Sequence, residues 1–150
     1  MTAGSTFKGI CMLEFEKKDE FKTKLDYSSV IGSNSFIKQL EKELHEYFNK
    51  ERTSFTVQLD LIGTDFQIEV WKELLNIPYG STRTYKEQAI AVGNLKAIRA
   101  VATANGSNRI SIIIPCHRVI GSDGSLTGFG GGLWRKKFLL ELESKQINLF

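Results

Sequence analysis

The sequence predicts an α+β protein with a small N-terminal α/β lobe over residues 1–63 and a mostly helical C-terminal domain over residues 64–150. Three observations indicate this class. Strand-like patterns lie in the first 63 residues, helix-capping signatures recur after residue 63, and a glycine-rich segment precedes one last helical pattern. With 41% apolar and 25% charged residues, the 150-residue chain has the ordinary composition of a globular protein.

The N-terminal lobe is predicted to combine two strands with one helix. ICMLEF (10–15) is typical of a short strand with one wet face, and FTVQLDLIG (55–63) alternates like a second strand. Between them, apolar residues at intervals of four predict a helix capped by Asn34 or Ser35, with His45 on its surface beside the apolar stripe. The stripe consists of Phe36, Leu40, Leu44 and Phe48.

The C-terminal domain is predicted to begin with a helix that opens in a capping box formed by Thr64 and Gln67. Its inward-facing residues are predicted to be Phe66, Val70, Trp71, Leu74 and Leu75. TYKE (84–87) repeats the capping signature and opens the short helix YKEQAIA. After the turn VGN, Asn94 is placed to cap a further helix, LKAIRAVATAN.

These two short, basic helices around a tight glycine-containing turn are typical of a helix-turn-helix, although any helical hairpin in a small α domain gives a similar pattern. Composition favours the former. The second helix is rich in small residues, which allow a helix to approach a groove closely, and Arg99 among them is long enough to reach into a duplex. The small residues are Ala97, Ala100, Ala102 and Ala104.

Charge is concentrated in the middle of the chain. The net charge is +3, and residues 81–119 carry six basic side chains against the single acidic Glu87, which favours a surface that faces a polyanion. The six are Arg83, Lys86, Lys96, Arg99, Arg109 and Arg118.

The candidate reactive residues follow RISIII (109–114), whose unbroken apolar core predicts a strand buried on both faces. After Pro115 come Cys116 and His117. A thiol needs a base to ionise at neutral pH, and His117 is a candidate that acts through a bridging water, since neighbours on a strand point to opposite faces. Glu143, on the final helix LWRKKFLLELE (133–143), is a candidate to orient the imidazole. The alternative is an inert cysteine in the core.

Cofactors and metals are not expected. Cys11 and Cys116 form no CxxC pair and no zinc spacing with His45 and His117, and two free thiols are expected rather than a disulfide. The glycine-rich segment 121–132 satisfies no nucleotide-binding motif, so it is interpreted as a rim over a pocket, or else a flexible connector. The sequence has no apolar run long enough for a membrane span and no signal-peptide pattern, which predicts an intracellular protein without membrane contact.

The segment IPCHRVIGSDG, with the preceding RAV, Asn108 eight positions before Cys116, and the following GGLWRKKFLLELE, resembles the O6-alkylguanine-DNA alkyltransferases over residues 64–143. These are also called methylated-DNA–protein-cysteine methyltransferases. The resemblance implies a DNA-repair protein that flips a damaged nucleotide out of double-stranded DNA and moves the alkyl group of O6-alkylguanine irreversibly onto its own cysteine. It implies minor-groove binding, a monomer, and a nuclear location in a eukaryote or a cytoplasmic one in a prokaryote.

The resemblance also implies individual roles for the chemistry. Cys116 is the alkyl acceptor, His117 activates it through a water, and Glu143 orients His117. Asn108 braces the active-site turn by hydrogen bonds. Tyr85 donates its hydroxyl to the guanine ring as the base becomes a leaving group.

Further roles concern DNA and the pocket. Arg99 is the finger that fills the stack, on a helix whose DNA face includes Ala97, Ala100 and Ala102. The carbonyls of Cys116 and Val119 accept from the guanine amine, and the Gly130 amide donates to O6. Phe129 packs on the flipped base. The substrate pocket comprises Val119, Phe129, Gly130 and Gly131.

The chain departs from the family pattern in a few places. Phe129 stands where a tyrosine is usual, RAVA replaces RAVG, and a strand hairpin usual before GICMLEF is expected to be missing, which predicts a reduced N-terminal lobe. Two other classes of function are consistent with the residues: a damage sensor or transcription regulator that binds DNA without chemistry, and a Cys-His hydrolase or acyltransferase. The second leaves the basic helices unexplained.

Overall fold

The computed structural model of the chain describes residues 1–16 and 30–144, which form small sheets and helices in the predicted α+β class. The strands are β1 (Thr2–Ser5), β2 (Ile10–Glu14), β3 (Arg83–Thr84) and β4 (Val119–Ile120). The helices are α1 (Ser35–Phe48), α2 (Asp65–Leu74), α3 (Tyr85–Ala91), α4 (Ile98–Gly106) and α5 (Leu133–Glu143). Two short 3₁₀ turns span Leu95–Ala97 and Cys116–Arg118.

The N-terminal strands form an antiparallel hairpin in which β1 pairs with β2. The strand β1 is not predicted from the sequence, because after Thr2 its residues Ala3, Gly4 and Ser5 are small and lack the β-branched and aromatic side chains typical of strands. The segment GICMLEF is therefore preceded by one strand, β1, that pairs with it. The predicted strand over 55–63 is wrong: the segment meets β2 only at an isolated bridge between Ile10 and Leu59.

Local capping fixes where α1 and α2 begin. The Asn34 side chain accepts from the Ile37 amide, and Thr64 forms the predicted capping box with Gln67. The predicted stripe of α1 is wrong at its end, where Tyr47 is buried and Phe48 is 37% exposed. A spacing of four advances about 40° per step around a helix of 3.6 residues per turn, so the stripe drifts off the core face.

The apolar face of α2 is narrower than predicted. Val70, Trp71 and Leu74 are buried, whereas Phe66 and Leu75 are 36% and 44% exposed and do not point inward. The three buried residues lie within about a third of the helix circumference, which is the width of face that packing against the core requires.

The predicted pair of short helices is confirmed by α3 and α4. Thr84 and Glu87 form the capping box of α3, and the Asn94 side chain caps the turn that leads into α4. Gly93 takes φ +89° between them, a conformation that favours glycine. Val101 of α4 packs against α2 and α3 in a buried cluster, so the two helices are held as one unit.

The predicted strand over 109–114 is wrong, although its burial is correct. Ile110 bridges Leu13 of β2, and the chain then turns, with Ile112 at φ +72° and a hydrogen bond of 3.1 Å from the Ile114 amide to the Ile110 carbonyl. The isoleucine side chains at 110 and 112–114 are all at most 6% exposed. A run of buried β-branched residues does not distinguish a strand from a packed turn.

One apolar cluster joins the two parts of the chain. It contains Ile10 and Leu13 of β2, Leu74 of α2, and Ile110 and Ile114 from the turn before Cys116. The segment before Cys116 is therefore packed against residues from both the N-terminal and the C-terminal part of the chain. Among the described residues, each helix is too short or too polar to cross a lipid bilayer.

Candidate active site

Cys116 lies half-buried on the wall of a cavity of about 180 Å³. The cavity is lined by Glu14, Phe15, Asn105, Gly106, Asn108, Ser111, Cys116, Gly128, Phe129, Gly130 and Gly131. Three of the residues assigned to the substrate pocket, Phe129, Gly130 and Gly131, thus share a cavity with the thiol. Val119 contributes a buried side chain to the core beside it and does not line the cavity.

Asn108 organises the turn that presents the thiol. Its Oδ1 accepts from the Ile110 amide at 2.9 Å, and its Nδ2 donates to the Ile114 carbonyl at 2.9 Å and to Cys116 Sγ at 3.3 Å. Burial raises the pKa of the Cys116 thiol, and the Asn108 hydrogen bond and the positive charge of Lys136 oppose that rise. The resting thiol is therefore protonated at neutral pH and needs a base.

His117 is fully buried and paired with Glu143, with 2.8 Å between Nε2 and Oε1. Burial lowers the pKa of His117, so the imidazole is neutral and its Nε2–H donates to the carboxylate. The other nitrogen, Nδ1, is buried and has no hydrogen-bond partner among the described residues. This tautomer leaves a bare acceptor on the ring next in sequence to the thiol.

Glu143 is the centre of a buried network. Besides the imidazole, Oε1 accepts from the Tyr47 hydroxyl at 2.7 Å, and the Arg118 guanidinium donates to both carboxylate oxygens at 2.8 Å. Burial alone raises the pKa of Glu143, but the hydrogen bonds from His117 and Arg118 lower it to about 2. The carboxylate is therefore ionised at neutral pH and holds the imidazole in one orientation.

The sequence does not reveal the other members of this network. Arg118 is counted as surface charge, yet it is 7% exposed and also donates to the Ile77 carbonyl at 2.6 Å. Arg83 is likewise engaged internally, with Glu73 and Gln88 at 3.0 and 2.9 Å. The basic count over 81–119 therefore overstates the charge on the surface. The one feature of the sequence that could have pointed to Arg118 as a member of this network is that it directly follows His117.

Lys136 is a second buried cation that sequence reasoning misses. Its Nζ donates to the carbonyls of Val119 at 2.5 Å and Thr127 at 2.9 Å, so it ties the loop before α5 to β4. Burial lowers the pKa of Lys136, and Cys116 opposes that effect. The Val119 carbonyl keeps a second lone pair for another donor.

Tyr85, at the start of α3, stands between the helix-turn-helix and the cavity. Its half-buried hydroxyl donates to the Thr127 carbonyl at 2.9 Å, and the Lys136 ammonium lies 5.8 Å from its ring centroid. In this arrangement the hydroxyl is satisfied by the glycine-rich loop.

Phe15 brings the N-terminal part of the chain to the cavity wall. Its ring meets Phe129 edge-on at 6.0 Å between centroids, and the Arg135 guanidinium lies 5.0 Å from its centroid. A Cβ on Gly131 would lie 2.6 Å from the Phe15 ring, so a larger residue there would displace that ring from the cavity wall. Sequence reasoning assigns Phe15 to a strand and gives it no part in the site.

The proposed DNA face lies on α4 and the turn before it. Arg99 and Ala100 are exposed, while Ala97 and Ala102 are half-buried. Lys86 and Lys96 are exposed on the same pair of helices. Among the described residues, no His, Cys, Asp and Glu side chains gather in a group of three able to hold a metal ion.

Comparison with known proteins places this geometry in a family. Two sequence models match: "6-O-methylguanine DNA methyltransferase, ribonuclease-like domain" over residues 5–61, and the "DNA binding domain" of the same enzyme over residues 65–145. The methylated-DNA–protein-cysteine methyltransferase of Methanosarcina barkeri is 48% identical over 141 residues, which cover 93% of this chain and 87% of the relative. That of Mycobacterium bovis is 60% identical over 104 residues, covering 69% and 63%.

Solved structures agree with the sequence comparison. The crystal structure of Mycobacterium tuberculosis OGT in complex with DNA matches with a TM-score of 0.83 and 45% identity, covering 94% of this chain and 84% of that one. The matches extend over both parts of the chain and include the segment that carries Cys116. The chain belongs to the methylated-DNA–protein-cysteine methyltransferase family.

Proposed function

We propose that this protein repairs DNA by moving the alkyl group of O6-alkylguanine onto Cys116. The observation that supports this most directly is the placement of Cys116 on a cavity wall, directly before a neutral His117 in the chain, whose Nδ1 has no partner among the described residues and whose Nε2 is held by Glu143. The family of the chain and the likeness to a DNA complex support DNA as the partner.

The thiol is activated by proton transfer to His117. The proton leaves Sγ, crosses a bridging water and arrives at Nδ1, and the resulting imidazolium is stabilised by the ionised Glu143. Asn108 and Lys136 stabilise the thiolate, since both oppose the rise in its pKa. Arg118 keeps Glu143 charged throughout.

The thiolate then displaces guanine from the alkyl carbon. The S–C bond forms as the C–O6 bond breaks, and the electron pair of the broken bond stays with guanine, which takes up a proton and leaves neutral. The Tyr85 hydroxyl donates to the ring, and the Gly130 amide donates to O6. The backbone carbonyls of Cys116 and Val119 accept hydrogen bonds from the exocyclic amine of the base.

The alkyl carbon is reached only when the nucleotide leaves the duplex, at a cost of a few kcal/mol. The helix-turn-helix docks in the minor groove, where Ala97, Ala100 and Ala102 allow close approach and Arg99 fills the space left by the base. Phe129 packs on the everted base. These contacts read shape and phosphates rather than sequence.

Each molecule acts once, as a monomer. The product is a thioether, which neither water nor a second thiol cleaves under physiological conditions. The only other cysteine of the chain is Cys11 on β2, and it has no route to regenerate Cys116.

Mass spectrometry tests this function directly. After incubation with duplex DNA containing one O6-methylguanine, the peptide with Cys116 should gain the mass of one methyl group, with a yield of one per protein. Cys116→Ala should abolish transfer and keep DNA binding. Folded protein that binds the DNA but stays unmodified would show a sensor, and repeated turnover of a thioester would show a hydrolase.

A further inference from the structure

Asn105 is a buried side chain that the reaction described above does not use. It lies in the last turn of α4, is 6% exposed and lines the cavity that contains Cys116. Neither its Oδ1 nor its Nδ2 has a hydrogen-bond partner among the described residues. It is the one side chain there with both a donor and an acceptor left unused in the interior.

An amide in this position is costly without a ligand. Buried polar groups in folded proteins nearly always have partners, because removing them from water without a hydrogen bond loses free energy. An amide that lines a polar cavity is satisfied by whatever fills the cavity. A base that displaces solvent from it must therefore replace the lost hydrogen bonds, or binding is weakened.

The neighbouring structure fixes Asn105 without using its amide. The Trp71 indole donates to the Ala104 carbonyl at 2.8 Å, which anchors the end of α4. The amide of Asn108, which lines the same cavity, already forms hydrogen bonds with the Ile110 and Ile114 backbone and with Cys116 Sγ. Of these two amides, only that of Asn105 is free to bind a substrate.

We propose that Asn105 is a substrate-contacting residue whose Nδ2 donates a hydrogen bond to a ring nitrogen of the everted purine. This proposal rests on the proposed function. O6-alkylguanine offers N1, N3 and N7 as acceptors, and in the proposed reaction Tyr85, at the start of α3, donates to the same ring. Asn105 thereby connects the DNA-reading helix, which carries Arg99 at its other end, to the base that it delivers.

The test compares Asn105→Leu, which is similar in size and apolar, with wild type in single-turnover methyl transfer from an oligonucleotide containing O6-methylguanine. Loss of one hydrogen bond should slow transfer roughly tenfold. The same loss is expected with free O6-benzylguanine, because the contact is to the base rather than to the duplex. Thr103→Val, a polar-to-apolar change on α4 outside the cavity lining, should react with the free base at the wild-type rate.

Analogues identify the accepting atom. The 1-deaza, 3-deaza and 7-deaza forms of O6-methylguanine each remove one ring nitrogen, and for one of them wild type and Asn105→Leu should react equally fast. The thermal midpoint of Asn105→Leu should equal or exceed that of wild type, since no protein partner is lost. Asn105→Ala is a second variant that removes the amide without placing a bulky side chain in the cavity. It should give the same pattern of rates as Asn105→Leu.

The outcomes separate the two proposals. If wild type transfers methyl to Cys116 and both Asn105 variants match its rate, the role of Asn105 is overturned and the proposed function stands. The role is also overturned if the variants are slowed equally on all three analogues. If wild type itself transfers no methyl group, the proposed function fails first.

Discussion

Tyr47 donates a hydrogen bond of 2.7 Å to Glu143, 96 residues away along the chain. Tyr47 is fully buried on α1, and Glu143 is the last residue of α5. Burial, followed by the negative charge of Glu143, raises the pKa of Tyr47, so the phenol stays protonated and remains a donor. The N-terminal part of the chain thus positions the carboxylate that orients His117.

Tyr47→Phe should weaken this coupling without creating a cavity. The loss of a hydrogen bond to a charged group should lower the free energy of unfolding by about 2 kcal/mol and raise the pKa of Glu143. The alkyl-transfer rate should then begin to fall at a higher pH on the acid side than in wild type. Urea unfolding and a pH–rate profile measure the two effects.

Tyr79→Phe is the matched control, because the Tyr79 hydroxyl makes only a 3.4 Å contact with the Leu142 carbonyl. It should change stability by well under 1 kcal/mol. Identical pH–rate profiles for wild type and Tyr47→Phe would show that Tyr47 acts only as a packing residue.

Lowering the pH should destabilise the fold in two successive pH ranges, the first set by His117 and the second by Glu143. Burial lowers the pKa of His117, so the unfolded chain binds its proton first and stability falls as the pH drops below about 6.5. The pKa of Glu143 is about 2 in the fold, against about 4.3 when unfolded, so its contribution of about 3 kcal/mol is present above pH 4.3 and is lost towards pH 2.

Chemical denaturation from pH 8 to pH 3 measures this dependence. Glu141→Gln, on the exposed side of the same helix, should leave both ranges in place. Stability that stays level between pH 7 and pH 3 would contradict the assignment of a neutral His117 and an ionised Glu143.

Asn108→Ala should make the thiol less reactive. The change removes the 3.3 Å hydrogen bond to Sγ, so the pKa of Cys116 should rise further and the rate of alkylation by iodoacetamide at pH 8 should fall severalfold. Stability should fall by about 2 kcal/mol, because the Ile110 amide and the Ile114 carbonyl lose a partner.

A Cys11→Ser background leaves Cys116 as the one reporting thiol for this measurement. An alkylation pH profile that is unchanged by Asn108→Ala would mean that the amide shapes the turn and leaves the ionisation of the thiol unaffected.

Helix starts are predictable from this sequence because they depend on local hydrogen bonds. The capping boxes at Thr64 and Thr84 join residues three apart, and both are present in the structure. The strand prediction over 109–114 is wrong because the conformation of that segment depends on more than local hydrogen bonds. Its turn depends on Asn108, Ile112 takes a left-handed conformation, and hydrophobicity alone reports only that the segment is buried.

The buried cations show a second limit. Arg118 and Lys136 look like surface residues because charged side chains are seldom buried without a partner. The partner of Arg118 is Glu143, 25 residues away, and the partners of Lys136 are backbone carbonyls. Such pairings depend on tertiary contacts, whereas the adjacent Cys116 and His117 carry their chemical signal in the sequence itself.

Arg99→Ala should separate base extrusion from chemistry. Arg99 is exposed on α4, away from the cavity lining, so it cannot assist the thiol directly. Because extrusion of a paired nucleotide costs a few kcal/mol, loss of a side chain that fills the vacated stack should slow repair of duplex O6-methylguanine by at least tenfold. Reaction with free O6-benzylguanine, which requires no extrusion, should change less than twofold.

Lys96→Ala is the comparison for Arg99, since Lys96 is an exposed cation in the turn that leads into α4. It should weaken duplex binding and reduce its salt dependence through the loss of about one phosphate contact, and leave the rate at saturating DNA unchanged. Equal losses for Arg99→Ala on duplex and free base would contradict the role of Arg99 in base extrusion.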